Sequence, residues 1–124
     1  MLAKNRTLAV ACFLSILASL TVAQVAVAHA VLLEATPAAG TRVKGPEVAI
    51  RLRYNVRIEA GRSRVSLLLP DNSVKALTLG QQAAPDVLAL RAAGLVPGEY
   101  RIRWQVLASD GHITRGEVPF TVVP

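Results

Sequence analysis

The chain has 124 residues, a formal net charge of +6 and a single cysteine, Cys12. One cysteine excludes an intrachain disulfide framework, and the length allows one domain with a modest hydrophobic core. The arginines between Arg51 and Arg103 mostly alternate with apolar residues instead of forming a run. This spacing predicts the solvent face of β-strands and gives no indication of a nucleic-acid-binding surface. Contact with anionic lipid or an acidic partner stays open.

The first predicted element is a secretory signal peptide over residues 1–28. It has a basic start, an apolar run and small residues before a cleavage site: Lys4 and Arg6, then residues 8–22, then Ala26 and Ala28. The run contains polar residues and is shorter than the roughly 20 strongly apolar residues of a membrane-spanning helix. We therefore expect cleavage between Ala28 and His29 and export to the periplasm. In the mature domain, residues 29–124, twelve Lys and Arg stand against eight Asp and Glu, a net charge of +4.

After residue 28 the pattern predicts about seven short strands separated by turns and no long helical stripe. The strands are expected at 29–36, 48–55, 65–69, 74–79, 88–92, 100–106 and 118–122, with loops at 80–86 and 109–116. In the strand at 100–106, Tyr100, Ile102 and Trp104 should point inward, because alternate residues share a face. Pro119 suits an outward position near an edge. Strands this short and this closely spaced predict an all-β fold, a single Greek-key β-sandwich.

The candidate site lies in Asp110-Gly111-His112. Residues i and i+2 of an extended or tightly turned backbone project to the same side, so a carboxylate and an imidazole are directed at one point. Gly111 leaves space for an ion and permits unusual φ. Asp-Gly is also a common turn dipeptide, and a surface turn with a solvated histidine is the simpler interpretation of this tripeptide alone.

The only other histidine is His29, which cleavage would place at the N-terminus. Its free α-amine and ring Nδ1 can then chelate one ion together. With Asp110 and His112 the set comprises three nitrogens and one carboxylate oxygen, which suits a tetragonal Cu(II) ion. A single metal site would account for both histidines, so we favour it over two unrelated surface histidines.

Motifs at both ends of the mature domain resemble those of the CopC family of periplasmic copper-binding proteins. The matching residues are His29-Ala30, 36–40, 97–100, Trp104, 109–112, Gly116 and 120–122. The resemblance implies a cupredoxin-like or immunoglobulin-like β-sandwich. It also implies that His29 (amine and ring), Asp110 and His112 bind one Cu(II) per mature chain. A CopD-type inner-membrane copper transporter is the partner that the resemblance implies.

The chain departs from the family pattern at two places. Some members carry a second, methionine-rich Cu(I) site, but residues 29–124 contain no methionine and no third histidine, which indicates the Cu(II)-only type. Members with the tightest Cu(II) site often have an acidic residue near the end of the first long inner strand, where this chain has Tyr54-Asn55. An amide can orient a ligand there but brings no charge.

We expect a monomeric Cu(II)-binding protein that serves copper buffering, resistance or delivery and is not an enzyme. Two other functions stay open. A histidine-brace copper enzyme would use the same N-terminal histidine, although this domain has only four aromatic residues and all are predicted on core faces. A metal-free β-sandwich interaction domain is the third candidate.

Overall fold

The computed structural model describes residues 29–124, so the predicted signal peptide and its cleavage site lie outside the described residues. These residues form eight strands: β1 (Leu32–Thr36), β2 (Thr41–Lys44), β3 (Val48–Tyr54), β4 (Arg64–Leu68), β5 (Val74–Leu77), β6 (Val87–Ala92), β7 (Gly98–Leu107) and β8 (Ile113–Val123). One 3₁₀ turn, Ala60–Arg62, precedes β4. Within residues 29–124, no helix has the length and apolar character needed to span a bilayer.

The strands form two packed sheets, which confirms the predicted all-β sandwich. One sheet has the order β1-β3-β6 and is antiparallel throughout. The other has the order β2-β8-β7-β4-β5, with β2 parallel to β8. The pairs β3–β6 and β4–β7 join strands that are not consecutive in the chain, which is the connectivity of a Greek-key sandwich.

The core lies between the sheets and follows the alternation read from the sequence. In β7, Tyr100, Ile102, Trp104 and Val106 are buried while the residues between them are wholly or partly exposed. β3 alternates in the same way. The period of two therefore places one face of each long strand in the core and leaves the arginines outside.

The predicted strands differ most from the structure in three places. β2 was not predicted, and it has only one half-buried residue, Val43, in four. The first strand begins at Leu32 instead of residue 29. The predicted loop over 109–116 is wrong after His112, because β7 and β8 stay paired as far as Leu107 and Ile113.

Pro119 occupies an outward position, as predicted. It is exposed, and it lies immediately before the segment of β8 that pairs with β2. Its carbonyl accepts a hydrogen bond from the Gly40 N–H at 2.8 Å. Proline has no N–H to donate to a neighbouring strand, and none is needed at this position because the pairing with β2 begins only at Phe120.

Candidate metal centre

The turn between β7 and β8 is tightly hydrogen-bonded. The Ala108 N–H donates to the His112 carbonyl at 2.9 Å, and the Gly111 N–H donates to the Ala108 carbonyl at 2.9 Å. Gly111 has φ of 87°, a left-handed conformation that favours glycine. The turn is also held from outside, because the Ser109 N–H donates to the Arg57 carbonyl. These bonds place Asp110 and His112 at the end of the sandwich.

Asp110 and His112 contact each other as the sequence predicts for residues two apart. One carboxylate oxygen of Asp110 accepts the His112 backbone N–H at 3.0 Å, and the other lies 3.2 Å from His112 Nδ1. The backbone N–H of His112 is the main cause that lowers the pKa of Asp110 below its usual value, and the neighbouring imidazoles add to the effect. The carboxyl group is therefore an anion at neutral pH.

His29 lies beside His112, although they are 83 positions apart in the chain. Their ring centroids are 4.8 Å apart, and the rings meet edge to face at 80°. Asn55, immediately after β3, positions this segment. Its Oδ1 accepts the Val31 N–H at 2.7 Å, and its Nδ2 donates to the His29 carbonyl at 3.3 Å. The Asn55 backbone N–H donates to the Val31 carbonyl as well.

A second contact joins the same segment to β8. The Thr114 hydroxyl donates to the carbonyl of Ala30 at 3.1 Å, and Ala30 is buried. The sequence indicated Asn55 only as a neighbour of the metal and gave no signal for Thr114, because neither contact is local in the chain. Together the side chains of Asn55 and Thr114 hold the residues that follow His29 against the end of β3 and the start of β8.

The three residues predicted as ligands are therefore neighbours, linked in the order Asp110, His112, His29. Across residues 29–124, no group of three or more His, Cys, Asp or Glu side chains is arranged so that it could hold a metal ion by itself. The side chains are joined by contacts in pairs instead of converging on one point.

Two aromatic rings lie in the core below this end of the sandwich. Tyr54, the last residue of β3, packs edge to face against Trp104 with centroids 5.3 Å apart. The Tyr54 hydroxyl and the Trp104 Nε1 are buried and have no hydrogen-bond partner among residues 29–124, and burial raises the pKa of Tyr54. Trp104 is three residues before Leu107, so it lies about 10 Å along the strand from the turn. That distance suits a fluorescence reporter of the site.

The domain matches a known family over almost its whole length. Residues 32–123 match the family model described as the CopC domain. The match includes Asp110 and His112 and begins three residues after His29. Protein YobA of Escherichia coli K12 is 34% identical over 98 residues, which cover 77% of this chain and 79% of YobA.

Two solved structures share the fold. CopC from Methylosinus trichosporium OB3b is 34% identical, with a TM-score of 0.69, and the alignment covers 77% of this chain and 95% of that protein. PcoC, a methionine-rich copper resistance protein from Escherichia coli, is 26% identical, with a TM-score of 0.66. That alignment covers 77% of this chain and all of PcoC.

Proposed function

Because this chain belongs to the CopC family, we propose that it binds one Cu(II) ion where the segment before β1 meets the end of β3 and the start of β8. The ligands are the α-amine and ring Nδ1 of His29, the carboxylate of Asp110 and the imidazole of His112. One observation carries the proposal: the chain's only two histidines lie with their rings 4.8 Å apart, and one of them contacts an ionised carboxylate.

The spacing of the rings supports a shared ion. Two imidazoles bound to one ion through nitrogens at about 2.0 Å have ring centroids about 4.5 to 6.4 Å apart, for cis and trans positions respectively. The observed separation lies within this range. Nitrogen-rich sets with a carboxylate suit Cu(II), which also has the highest affinity in the divalent series. No methionine or cysteine is present in residues 29–124 to favour Cu(I).

The fourth ligand depends on processing. In the 124-residue chain the nitrogen of His29 belongs to the peptide bond with Ala28, and an amide coordinates poorly. Cleavage at this bond gives a basic amine that chelates together with the His29 ring. The contacts of Asn55 and Thr114 hold residues 29–31 in place, which supports an amine close to His112 once it is free.

The role that fits this site is the buffering or delivery of Cu(II) outside the cytoplasmic membrane, as part of copper resistance. PcoC, with the same fold, is described as a copper resistance protein. A CopD-type membrane transporter is the proposed recipient. We assign no catalytic step, because the Asp110 carboxylate takes a coordination position that an oxidant would need.

Titration of Cu(II) into the chain beginning at His29 tests this function. We expect one tightly bound equivalent. His112→Ala should lose most of the affinity, whereas Ile113→Ala, a change at the neighbouring exposed residue, should not. Equal affinity of the His112→Ala variant and the unchanged protein would refute the assignment.

A further inference from the structure

The outward face of the five-stranded sheet carries an unequal share of the charge. On β2, β4, β7 and β8 it presents six basic and two acidic side chains, and all eight residues are exposed. They are Arg42, Lys44, Arg64, Arg101, Arg103 and Arg115, with Glu99 and Glu117. We call these eight residues the basic face; its net charge is +4.

The strand register puts these side chains on one side of the sheet. Arg64 is opposite Gln105, which is opposite Arg115. In the next outward row, Ser66 is opposite Arg103, which is opposite Glu117. β2 extends the same surface, because its buried alternation places Val43 inward and its two basic residues outward.

The rest of the domain is electrically balanced. Outside the basic face, residues 29–124 contain six basic and six acidic residues. The whole net charge of +4 therefore resides on one sheet. This asymmetry is not apparent from the sequence, because the arginines are spread along the chain. They become neighbours only where β4, β7 and β8 pair.

Few of these cations are neutralised within the protein. Glu117 accepts from both Arg101 at 3.2 Å and Arg103 at 2.8 Å, so one carboxylate serves two guanidinium groups. Arg115 donates to the neutral side chain of Gln105 at 2.9 Å. Arg42, Lys44 and Arg64 form no ion pair with any residue of the described chain. The surface therefore keeps its positive potential.

We infer that the basic face binds the anionic phosphates of a phospholipid bilayer surface. Guanidinium groups match phosphate geometry, and six of the outward side chains are basic. The face spans four strands about 4.8 Å apart, so its cations are spread over about 14 Å across the strands instead of converging in a pocket. A planar array of headgroups complements such a surface. No large exposed aromatic residue lies on it to anchor a protein partner.

This docking mode leaves the candidate metal centre accessible. Asp110 and His112 lie in the turn at one end of β7 and β8, at the perimeter of the face and not within it. A domain bound to the bilayer through its basic face would thus keep the candidate metal centre accessible to a neighbouring membrane protein. The inference depends on the charge distribution alone and holds whether or not the chain binds copper.

Binding to a bilayer is expected to be reversible and sensitive to salt. Each basic residue near an anionic surface contributes about fivefold in partitioning. The attraction falls with ionic strength, since the Debye length shrinks to about 8 Å at physiological salt.

Co-sedimentation of the chain beginning at His29 with lipid vesicles tests the proposal. We expect binding to vesicles of phosphatidylcholine mixed with phosphatidylglycerol and none to phosphatidylcholine alone. The double variant Arg64→Gln with Arg115→Gln should lose about 25-fold in partitioning, because it removes two cations from the face.

The matched control is Arg51→Gln with Arg91→Gln. These exposed residues lie on the outer face of the three-stranded sheet, so the net charge falls by the same amount. Partitioning of this control variant onto the anionic vesicles should fall less than fivefold. An equal loss in both double variants would show attraction to net charge only and overturn the proposal. Absence of binding to the anionic vesicles would also overturn it and would leave an acidic protein as the partner.

Discussion

Asp110 holds His112 at two points, through the backbone N–H at 3.0 Å and through ring Nδ1 at 3.2 Å. One carboxylate thus fixes both the backbone and the ring orientation of His112. While this contact holds, Nε2 is the nitrogen of His112 that is open to an ion.

The two roles of Asp110 are separable by substitution. Asp110→Asn keeps an oxygen that accepts the His112 N–H but removes the negative charge, whereas Asp110→Ala removes both. We expect Cu(II) affinity to fall at least tenfold in Asp110→Asn and further in Asp110→Ala, measured by competition with a chelator.

Asp71→Asn is the control, because Asp71 accepts the Ser73 N–H at 2.9 Å in a similar turn elsewhere. The Cu(II) affinity of Asp71→Asn should equal that of the unchanged protein. Full affinity in Asp110→Asn would mean that the negative charge of Asp110 contributes nothing to the binding of the ion.

Asn55 should matter for copper through the backbone of residues 29–31. Asn55→Ala removes the hydrogen bonds to Val31 and His29, each with a typical net value of about 1 kcal/mol. We expect weaker Cu(II) binding together with a small loss of thermal stability. Thr114→Val, which removes only the bond to Ala30, should give a smaller change in affinity. A stability loss with unchanged copper affinity in Asn55→Ala would limit this residue to a structural role.

Cu(II) affinity should fall with decreasing pH, because protons compete for the ligands. Free amine and imidazole groups take up protons around pH 7.7–8.0 and about 6.5 respectively, so they are affected first. The lowered pKa of Asp110 keeps its carboxylate ionised until the solution is far more acidic. Quenching of Trp104 fluorescence by Cu(II) provides the measurement.

His112→Ala should show a shallower dependence on pH, because it has lost one site at which protons compete. An affinity that stays constant from neutral pH to about pH 5 would exclude amine and imidazole ligands.

Gly116 should not tolerate a side chain. A Cβ at this position would overlap Cζ2 of Trp104. We expect Gly116→Ala to lower the free energy of unfolding by about 1–3 kcal/mol, as overpacked cores do. Gly61→Ala, where nothing lies within 4 Å, is the control in the same denaturant titration. Equal midpoints for the two variants would contradict the packing of Trp104 over Gly116.

The sequence predicted the parts of the fold that depend on alternation. β3 and β7 are long and half-buried, and their inward residues are those expected. β2 escaped prediction because four residues with one partly buried side chain carry no periodic signal. Its pairing with β8 depends on the tertiary structure.

The same distinction applies to function. Asp110 and His112 could be predicted as neighbours because a short turn determines their contact. The closeness of His29 to His112 followed only from resemblance to a family, since the contact depends on Asn55 and Thr114, far away in sequence. The basic face could not be foreseen, because alternation shows that an arginine points outward but not which strand lies beside it.

A chelate that includes the free amine of His29 is tested most directly by comparing the chain beginning at His29 with one that has a single glycine before His29. The first should bind one Cu(II) with the electron paramagnetic resonance spectrum of a tetragonal, nitrogen-rich site and no intense blue colour.

In the extended chain an amide replaces the amine. Its Cu(II) affinity should fall by more than roughly hundredfold, which is the largest loss typical of mutating a residue that only orients a ligand. Equal affinity and identical spectra for the two chains would contradict the account.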